Sequence, residues 1–173
     1  MSGRLTKALG IPGWMTSAEL EWLEKQATGK SLVIEFGSWH GRSSVVLAAA
    51  ERLVCVDSWE SADEERGKFD QHMAQDMADL RVTVCGGDLQ DDTFRGYLID
   101  RFGGMAEMVF VDAAHDEESV ARDIETAQAL LADDGLLCGH DYSPAWPGVA
   151  AAVGRFYSQD RIGRAADSIW YVK

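Results

Sequence analysis

The chain has 173 residues, of which 46% are hydrophobic and only 3 are proline, so its composition is typical of a globular protein. The formal net charge is −13 and no run of Lys or Arg is present, which disfavours a nucleic-acid partner. No apolar run approaches the roughly 18 residues of a membrane helix, and the N-terminus lacks a signal-peptide core. The 3 cysteines lack CxxC spacing, so we expect a cytoplasmic protein with buried free thiols.

Strand and helix patterns alternate along the chain. Thr16 and Glu19 form the capping box of a first helix, after a turn at residues 11–14. Apolar strands are predicted at residues 31–36, 53–56, 82–85, 108–111, 136–138 and 169–172, with helical spacing between most of them. This alternation predicts a doubly wound, Rossmann-like α/β sheet that is mostly parallel, with the last strand antiparallel at an edge. We expect a single domain, comprising an N-terminal arm and helix (1–29), a ligand-binding core (30–157) and a trimmed C-terminal strand region (158–173).

A glycine loop joins the first predicted strand to the next helix. The strand carries Glu35 near its end, and Gly37 and Gly41 follow, which places backbone N–H groups and a carboxylate at the carboxyl edge of the sheet. Trp39 stands where a dinucleotide-binding loop has its second glycine, and an indole there obstructs the approach of a pyrophosphate. We therefore expect a nucleoside-like ligand without a diphosphate, and S-adenosylmethionine fits that description.

Acidic side chains follow the second and third predicted strands as well. Asp57 is placed either to accept hydrogen bonds from a ribose diol or to anchor the rim of the sheet, and both alternatives stay open. Trp59 can stack on an adenine face. Asp88 follows Gly87, where backbone can approach a base closely, and it either accepts from an adenine amino group or caps the next helix.

Two further constellations follow the fourth and fifth predicted strands. Asp112 ends the fourth strand and His115 lies three residues on, where a histidine near carboxylates can accept a proton at neutral pH or simply cap a loop. His140 and Asp141 leave the fifth strand. Together with Asp112 they offer two carboxylates and one imidazole, which suit Mg²⁺ or Mn²⁺, and a metal-free polar network is the alternative.

In this order the motifs resemble those of class I S-adenosylmethionine-dependent methyltransferases, and in particular methyltransferase family 24, which is similar to macrocin-type sugar O-methyltransferases. The resemblance rests on residues 35–43, 56–59, 111–115, 139–142 and 146–149. It implies a seven-stranded sheet with one antiparallel strand, and it places the methionine part of the cofactor over the loop 35–41. It also implies that Asp112, His140 and Asp141 hold a divalent cation and that His115 is the base.

The predicted cofactor-binding residues are Glu35, Gly37, Ser38, Trp39, Gly41, Ser43, Asp57, Ser58, Trp59, Gly87, Asp88 and Asp112. The predicted catalytic residues are His115 and Asp112. Our leading hypothesis is metal-assisted O-methylation of a small hydroxylated acceptor. The alternatives are a non-catalytic S-adenosylmethionine-binding protein with a regulatory or assembly role, and a nicotinamide-dependent oxidoreductase.

Two departures from the family pattern affect the acceptor side of the predicted site. Ala113 stands where family members usually have glycine, so the loop has to form without the conformational freedom of glycine. No sizeable insertion or N-terminal extension is present to build a lid over the acceptor. We therefore expect an acceptor site that is either open or completed by a second subunit of a homo-oligomer.

Overall fold

The computed structural model describes residues 1–59 and 63–173. The strands are β1 Leu32–Phe36, β2 Arg52–Asp57, β3 Val82–Gly86, β4 Ala106–Val111, β5 Leu131–Gly139, β6 Ile162–Ala165 and β7 Ile169–Val172. The helices are α1 Gly3–Leu9, α2 Ser17–Ala27, α3 Arg42–Leu47, α4 Asp63–Ala78, α5 Asp92–Phe102, α6 Glu117–Leu130 and α7 Pro147–Phe156. Within these described ranges, no helix is both long enough and apolar enough to cross a membrane.

The seven strands form one sheet in the order β3-β2-β1-β4-β5-β7-β6. The first five of these pair in parallel, and β7 pairs antiparallel with both β5 and β6, so β7 alone runs against the others. The predicted fold class is therefore confirmed. The order of the strands reverses between β1 and β4, which is the point where doubly wound sheets bind their ligands.

Alternate residues of the strands point to two separate apolar layers, as the period of a strand requires. On one face, Val33 packs in a cluster with the buried side chains of α1 to α4, and on the other face Ile34 packs with those of α5 to α7. Burial on both faces explains why the strand sequences are almost continuously apolar. The three cysteines are free and buried, as predicted.

The structure differs from the sequence-based elements in three places. Helix α1 was not predicted, although Ser2 caps it and its apolar side chains are buried. The strand predicted at residues 136–138 begins earlier, at Leu131, and its register against β4 shifts along this added part. The predicted edge position of the last strand is wrong, because the unpredicted strand β6 pairs with the outer side of β7. The first two differences depend on contacts with distant segments, whereas β6 pairs with the neighbouring strand β7 in a hairpin.

Candidate active site

A cavity of about 830 Å³ opens at the carboxyl ends of the parallel strands, across the switch point between β1 and β4. Small-molecule sites typically enclose about 300 to 1,000 Å³, so this volume suits a cofactor together with a small acceptor. Twelve of the predicted site residues line the cavity: Gly37, Ser38, Trp39, Ser43, Asp57, Ser58, Gly87, Asp88, Asp112, His115, His140 and Asp141. The remaining three, Glu35, Gly41 and Trp59, are not among its lining residues.

Glu35 lies beneath the glycine loop and is fully buried. Its carboxylate accepts hydrogen bonds from the hydroxyl groups of Ser38 at 2.7 Å, Ser43 at 2.5 Å and Ser44. Burial raises the pKa of Glu35 to about 7, although the three hydroxyl groups act in the opposite direction. These contacts show that Glu35 holds the loop in shape, and its direct contact with the cofactor stays a prediction.

Gly37 brings the glycine loop against the residue that ends β4. Its φ is +86°, and an added Cβ would overlap the carbonyl oxygen of Asp112 and lie 2.8 Å from the Cα atom of Ala113. Glycine is therefore required here both for its conformation and for this close approach. Ala113 is not among the described residues with positive φ, so alanine causes no such strain in place of the family's glycine. Gly41, with φ +85°, forms the N-cap of α3 and packs against the side chains of α4.

Trp39 and Asp57 join the glycine loop to the end of β2. Trp39 has φ 41°, a conformation that is rare for a bulky residue, and its ring stacks on those of His40 and Trp14. The carboxylate of Asp57 accepts the backbone N–H of Trp39 at 2.8 Å and that of Trp59 at 2.9 Å. Asp57 thus anchors the rim of the sheet, as in one alternative from the sequence. Each of its oxygens still has a lone pair for a ribose hydroxyl, so the other alternative stays a prediction.

The ring of Trp59 is engaged outside the cavity. Its Nε1–H donates to the carbonyl oxygen of Trp39 at 2.9 Å, its ring packs against Phe69, and the guanidinium of Arg66 lies 4.8 Å from its centroid. These contacts lend no support to the predicted stacking of Trp59 on adenine. Leu89, which is buried at the cavity wall, offers apolar surface at this end instead.

The loop after β3 forms the far end of the cavity. Asp88 accepts the backbone N–H of Gln90 at 2.8 Å, and the side-chain amide of Gln90 donates to Asp123 Oδ1 at 3.2 Å. Asp123 lies on α6 and is fully buried, and its second oxygen has no hydrogen-bond partner. Burial raises the pKa of Asp123 to about 7. Sequence analysis missed Gln90 and Asp123 because neither stands at the end of a strand.

An acid–histidine cluster occupies the opposite end of the cavity, beside β4 and β5. His140 Nδ1 lies 3.5 Å from an oxygen of Asp112 and 3.3 Å from an oxygen of Asp141, and His140 Nε2 lies 3.1 Å from Glu19 Oε1. Burial lowers the pKa of His140, but its hydrogen bonds with these three carboxylates outweigh burial and raise the pKa well above its usual range. His140 is therefore an imidazolium ion enclosed by carboxylates. Burial raises the pKa of Asp112, with His140 opposing.

Glu19 ties both ends of the chain to this cluster. It belongs to the capping box of α2, where it accepts the backbone N–H of Thr16 at 2.9 Å, and it also accepts the backbone N–H of Ser168 at 2.9 Å. Burial opposes ionisation, but the hydrogen bonds from His140 and these residues hold the pKa of Glu19 well below its usual range. The sequence predicted the capping box and missed the second set of partners.

His115 stands at the mouth of the cluster, just before α6. Its Nε2 lies 2.8 Å from Asp141 Oδ2, and its ring stacks on Trp146 with centroids 4.2 Å apart. Asp116 caps α6 by accepting the N–H of Ser119, which fixes the backbone beside His115. Burial would raise the pKa of Asp141, but hydrogen bonds from His140 and His115 outweigh it and lower the pKa.

Ligand atoms of Asp112, His115 and Asp141 all lie within 4.8 Å of one another and could hold a metal ion. Two carboxylates and an imidazole suit a divalent cation such as Mg²⁺ or Mn²⁺. The set differs from the predicted one in that His115 replaces His140. Both nitrogens of His140 face carboxylates in this structure, and the predicted role of His140 as a metal ligand stays a prediction.

The connection between α1 and α2 supplies a wall that the sequence analysis did not foresee. The guanidinium of Arg42 donates to the carbonyl oxygens of Ala8, Ile11 and Met15, which holds this connection beside the cavity. Residues 13–15 line the cavity, and the side chain of Trp14 is 84% exposed. The N-terminal segment therefore forms part of the cavity wall.

Fold and site together define a class I methyltransferase. Residues 34–142 match the family described as "Methyltransferase domain", and the chain belongs to that family. The predicted class, the S-adenosylmethionine-dependent methyltransferases, is thereby confirmed. No curated protein sequence matches the chain.

Several solved structures share the fold. A TDP-rhamnose 3'-O-methyltransferase of calicheamicin biosynthesis is 18% identical with a TM-score of 0.69, and the match covers 98% of this chain and 79% of that chain. An O-methyltransferase from Bacillus cereus, solved with S-adenosylhomocysteine, is 16% identical with a TM-score of 0.73, over 100% and 92% of the two chains. An O-methyltransferase of tomaymycin synthesis from Streptomyces achromogenes, solved with S-adenosylmethionine, is 16% identical with a TM-score of 0.67, over 99% and 89%. At these identities the likeness shows the fold alone.

Proposed function

We propose that this methyltransferase methylates a hydroxyl oxygen of a small-molecule acceptor, with His115 as the general base. The observation that carries the proposal is the row of His115, Asp141, His140 and Asp112 at one end of the cavity, joined by contacts of 2.8 to 3.5 Å. The structural similarity to O-methyltransferases supports the choice of oxygen as the methylated atom. When bound, S-adenosylmethionine supplies an electrophilic methyl group.

The residues that would hold the cofactor follow the order of the strands. The loop that contains Gly37 and Ser38 would hold the methionine part, and Asp57 would accept hydrogen bonds from the ribose. Gly87 and Asp88 lie at the end of the cavity formed by β3, where they would meet the adenine. This arrangement directs the methyl group toward β4 and β5, where the acid–histidine cluster lies. The carboxylates of the cavity also favour a cationic sulfonium over the neutral product.

The protonation of His115 follows from its partner. The lowered pKa of Asp141 keeps this carboxylate ionised, so it can only accept, and His115 Nε2 must carry the hydrogen of their bond. In the neutral imidazole the lone pair then lies on Nδ1, which is the atom that would take the acceptor's proton. Asp141 fixes the tautomer and stabilises the imidazolium that forms. His140 contacts Asp141 in turn, and the same nitrogen of His140 also contacts Asp112.

A divalent cation fits the same end of the cavity. Asp112, His115 and Asp141 would hold it, and it would lower the pKa of the acceptor hydroxyl by polarising the oxygen. His115 Nε2 cannot ligate a metal and keep its hydrogen for Asp141 at once, so base and ligand are alternative roles for this side chain. Calorimetric titration of Mn²⁺ into the wild type and a His115→Asn variant distinguishes them, because only a ligand role makes the affinity for Mn²⁺ depend on His115.

The test of the proposal is methyl transfer from radiolabelled S-adenosylmethionine to a panel of hydroxylated small molecules. We expect the His115→Asn variant to lose a factor of about 10² to 10⁴ in kcat, which is typical for loss of a general base, and to bind S-adenosylhomocysteine as the wild type does. His72→Asn is the matched control, because His72 contacts the carbonyl oxygen of His40 and is not among the lining residues. Full activity of His115→Asn on an accepted substrate would disprove the role of His115.

The alternatives from the sequence find no comparable support. A non-catalytic protein has no need of the acid–histidine cluster that lines one end of the cavity. The nicotinamide alternative required Trp39 to swing away from the glycine loop, whereas its ring is stacked on His40 and Trp14. Completion of the site by a second subunit stays a prediction.

A further inference from the structure

We infer that the acceptor is an uncharged or amine-bearing hydroxylated ring, and not a phosphorylated, nucleotide-linked or coenzyme A-linked compound. The inference rests on the proposed function, because it concerns the acceptor end of the same cavity. Three features support it. The wall of the cavity carries carboxylates, its basic side chains already contact other groups of the protein, and two exposed indole rings line it.

The wall of the cavity is strongly acidic. Asp112 and Asp141 line the acceptor end and Glu65 lines the wall beside His40, while Asp57 and Asp88 line the end that would hold the cofactor. Arg42 is the one lysine or arginine among the described lining residues, and the undescribed residues 60–62 are Glu, Ser and Ala by sequence. Because like charges in a confined site of low dielectric repel strongly, this wall opposes an anionic acceptor and favours a cationic one.

Neither Arg42 nor His140 is available to bind a phosphate. The terminal nitrogens of Arg42 donate to three backbone carbonyl groups, and its Nε is buried without a partner. The imidazole ring of His140 is 8% exposed, and its two nitrogens face Glu19, Asp112 and Asp141. Recognition of a diphosphate normally uses a guanidinium or ammonium group whose donors face the ligand. The described wall offers no such group.

Two tryptophan rings provide a surface for a ring-shaped acceptor. Trp14 is 84% exposed and stacks on Trp39 with centroids 5.0 Å apart, while Trp146 is 44% exposed and stacks on His115. Both indoles line the cavity, and they belong to separate segments, one before α2 and one before α7. Indole faces bind flat rings by stacking and bind ammonium groups by cation–π attraction. Glu65 lines the same cavity within 4.0 Å of His40, the ring on which Trp39 stacks, whereas the nearby Lys68 is not a lining residue and pairs with Glu64 at 2.8 Å.

The test uses three catechols that share one ring and differ in charge: dopamine, 4-methylcatechol and 3,4-dihydroxyphenylacetate. Each is titrated by calorimetry into the protein loaded with S-adenosylhomocysteine, at low and high salt. We expect dopamine to bind at least about tenfold more tightly than the carboxylate compound, with the neutral catechol between them, and we expect added salt to narrow the difference. Equal or tighter binding of the carboxylate compound, or no binding by any of the three, overturns the inference.

Two pairs of variants test which residues cause the charge preference and the binding of the ring. Glu65→Gln should reduce the preference for dopamine over the carboxylate compound by about threefold, whereas Glu64→Gln, a neighbouring exposed acid outside the cavity, should not change it. Trp14→Ala should weaken binding of all three catechols by about five- to tenfold, and Leu80→Ala, an equally exposed apolar site elsewhere, should not. If a variant and its control change the catechol affinities equally, the role given to Glu65 or to Trp14 is contradicted.

Methyl transfer from S-adenosylmethionine to the same three catechols, measured on separate samples, distinguishes this inference from the proposed function. Binding that follows the order of charge without transfer of a methyl group leaves the inference standing and counts against the proposed O-methylation. Efficient transfer to the carboxylate compound, with affinity equal to that for dopamine, supports O-methylation and overturns the inference.

Discussion

Replacing Asp123 by Asn should make the protein less sensitive to alkaline pH. Asp123 is fully buried on α6, its contact with Gln90 is a 3.2 Å hydrogen bond, and Oδ2 has no partner. Burial raises its pKa to about 7, against an ordinary value of 3.8. Because this pKa is higher in the folded state than in the unfolded state, folding is favoured while the carboxyl keeps its proton. Stability then falls as the pH rises from about 4 through 7, and it levels off above that.

The size of the effect follows from the two pKa values. Between about pH 5 and pH 8, this one group should lower the free energy of unfolding of the wild type by about 2 to 3 kcal/mol. An asparagine can still accept the hydrogen bond from Gln90 and has no charge to bury. The difference in stability between Asp123→Asn and the wild type should therefore grow by the same amount over this interval. Glu35 is also raised to about 7, but it is present in both proteins, so its contribution cancels.

The assay is urea unfolding of both proteins at about pH 5 and pH 8, followed by fluorescence and far-ultraviolet circular dichroism. Asp100→Asn is the matched control, because Asp100 is exposed on α5 and is not a lining residue of the cavity. The reasoning is refuted if the difference between Asp123→Asn and the wild type is the same at both pH values, or if Asp100→Asn reproduces the change.

Three more substitutions test the acid–histidine cluster. Asp112→Ala should abolish methyl transfer with only a modest loss of affinity for S-adenosylhomocysteine, measured by calorimetry, and normal turnover would contradict the proposed scheme. Glu19→Gln should destabilise the protein by about 1 to 3 kcal/mol in urea unfolding, because it removes one of the three carboxylates around the buried His140. A change below about 0.5 kcal/mol would show that this pair is not critical. Gly148→Ala should lower kcat with unchanged affinity for S-adenosylhomocysteine, because the new Cβ would overlap the carbonyl oxygen of His115 and displace that residue. An unchanged kcat would mean that the backbone adapts without moving His115.

Much of the fold could be predicted because its signals are local. Apolar runs bounded by helical spacing gave six of the seven strands, and both β7 and its antiparallel direction were among the predictions. The missing strand β6 contains Gly163 and Arg164 within four residues, so it has too little apolar character to stand out. Its strand conformation depends on pairing with β7, which is a contact that the local pattern does not express.

The candidate site, like the fold, could be predicted only in part. That acids follow successive strands is visible in the sequence, and the parallel sheet necessarily brings the ends of those strands to one edge, so Asp57, Asp88 and Asp112 line one cavity. The partner of each polar atom was decided only by tertiary packing. His140 meets Glu19 across 121 residues of sequence, and this contact helps to raise the pKa of His140. The type of most elements depends on neighbours along the chain, whereas the protonation and the role of a side chain depend on the charges that lie within a few ångströms in space.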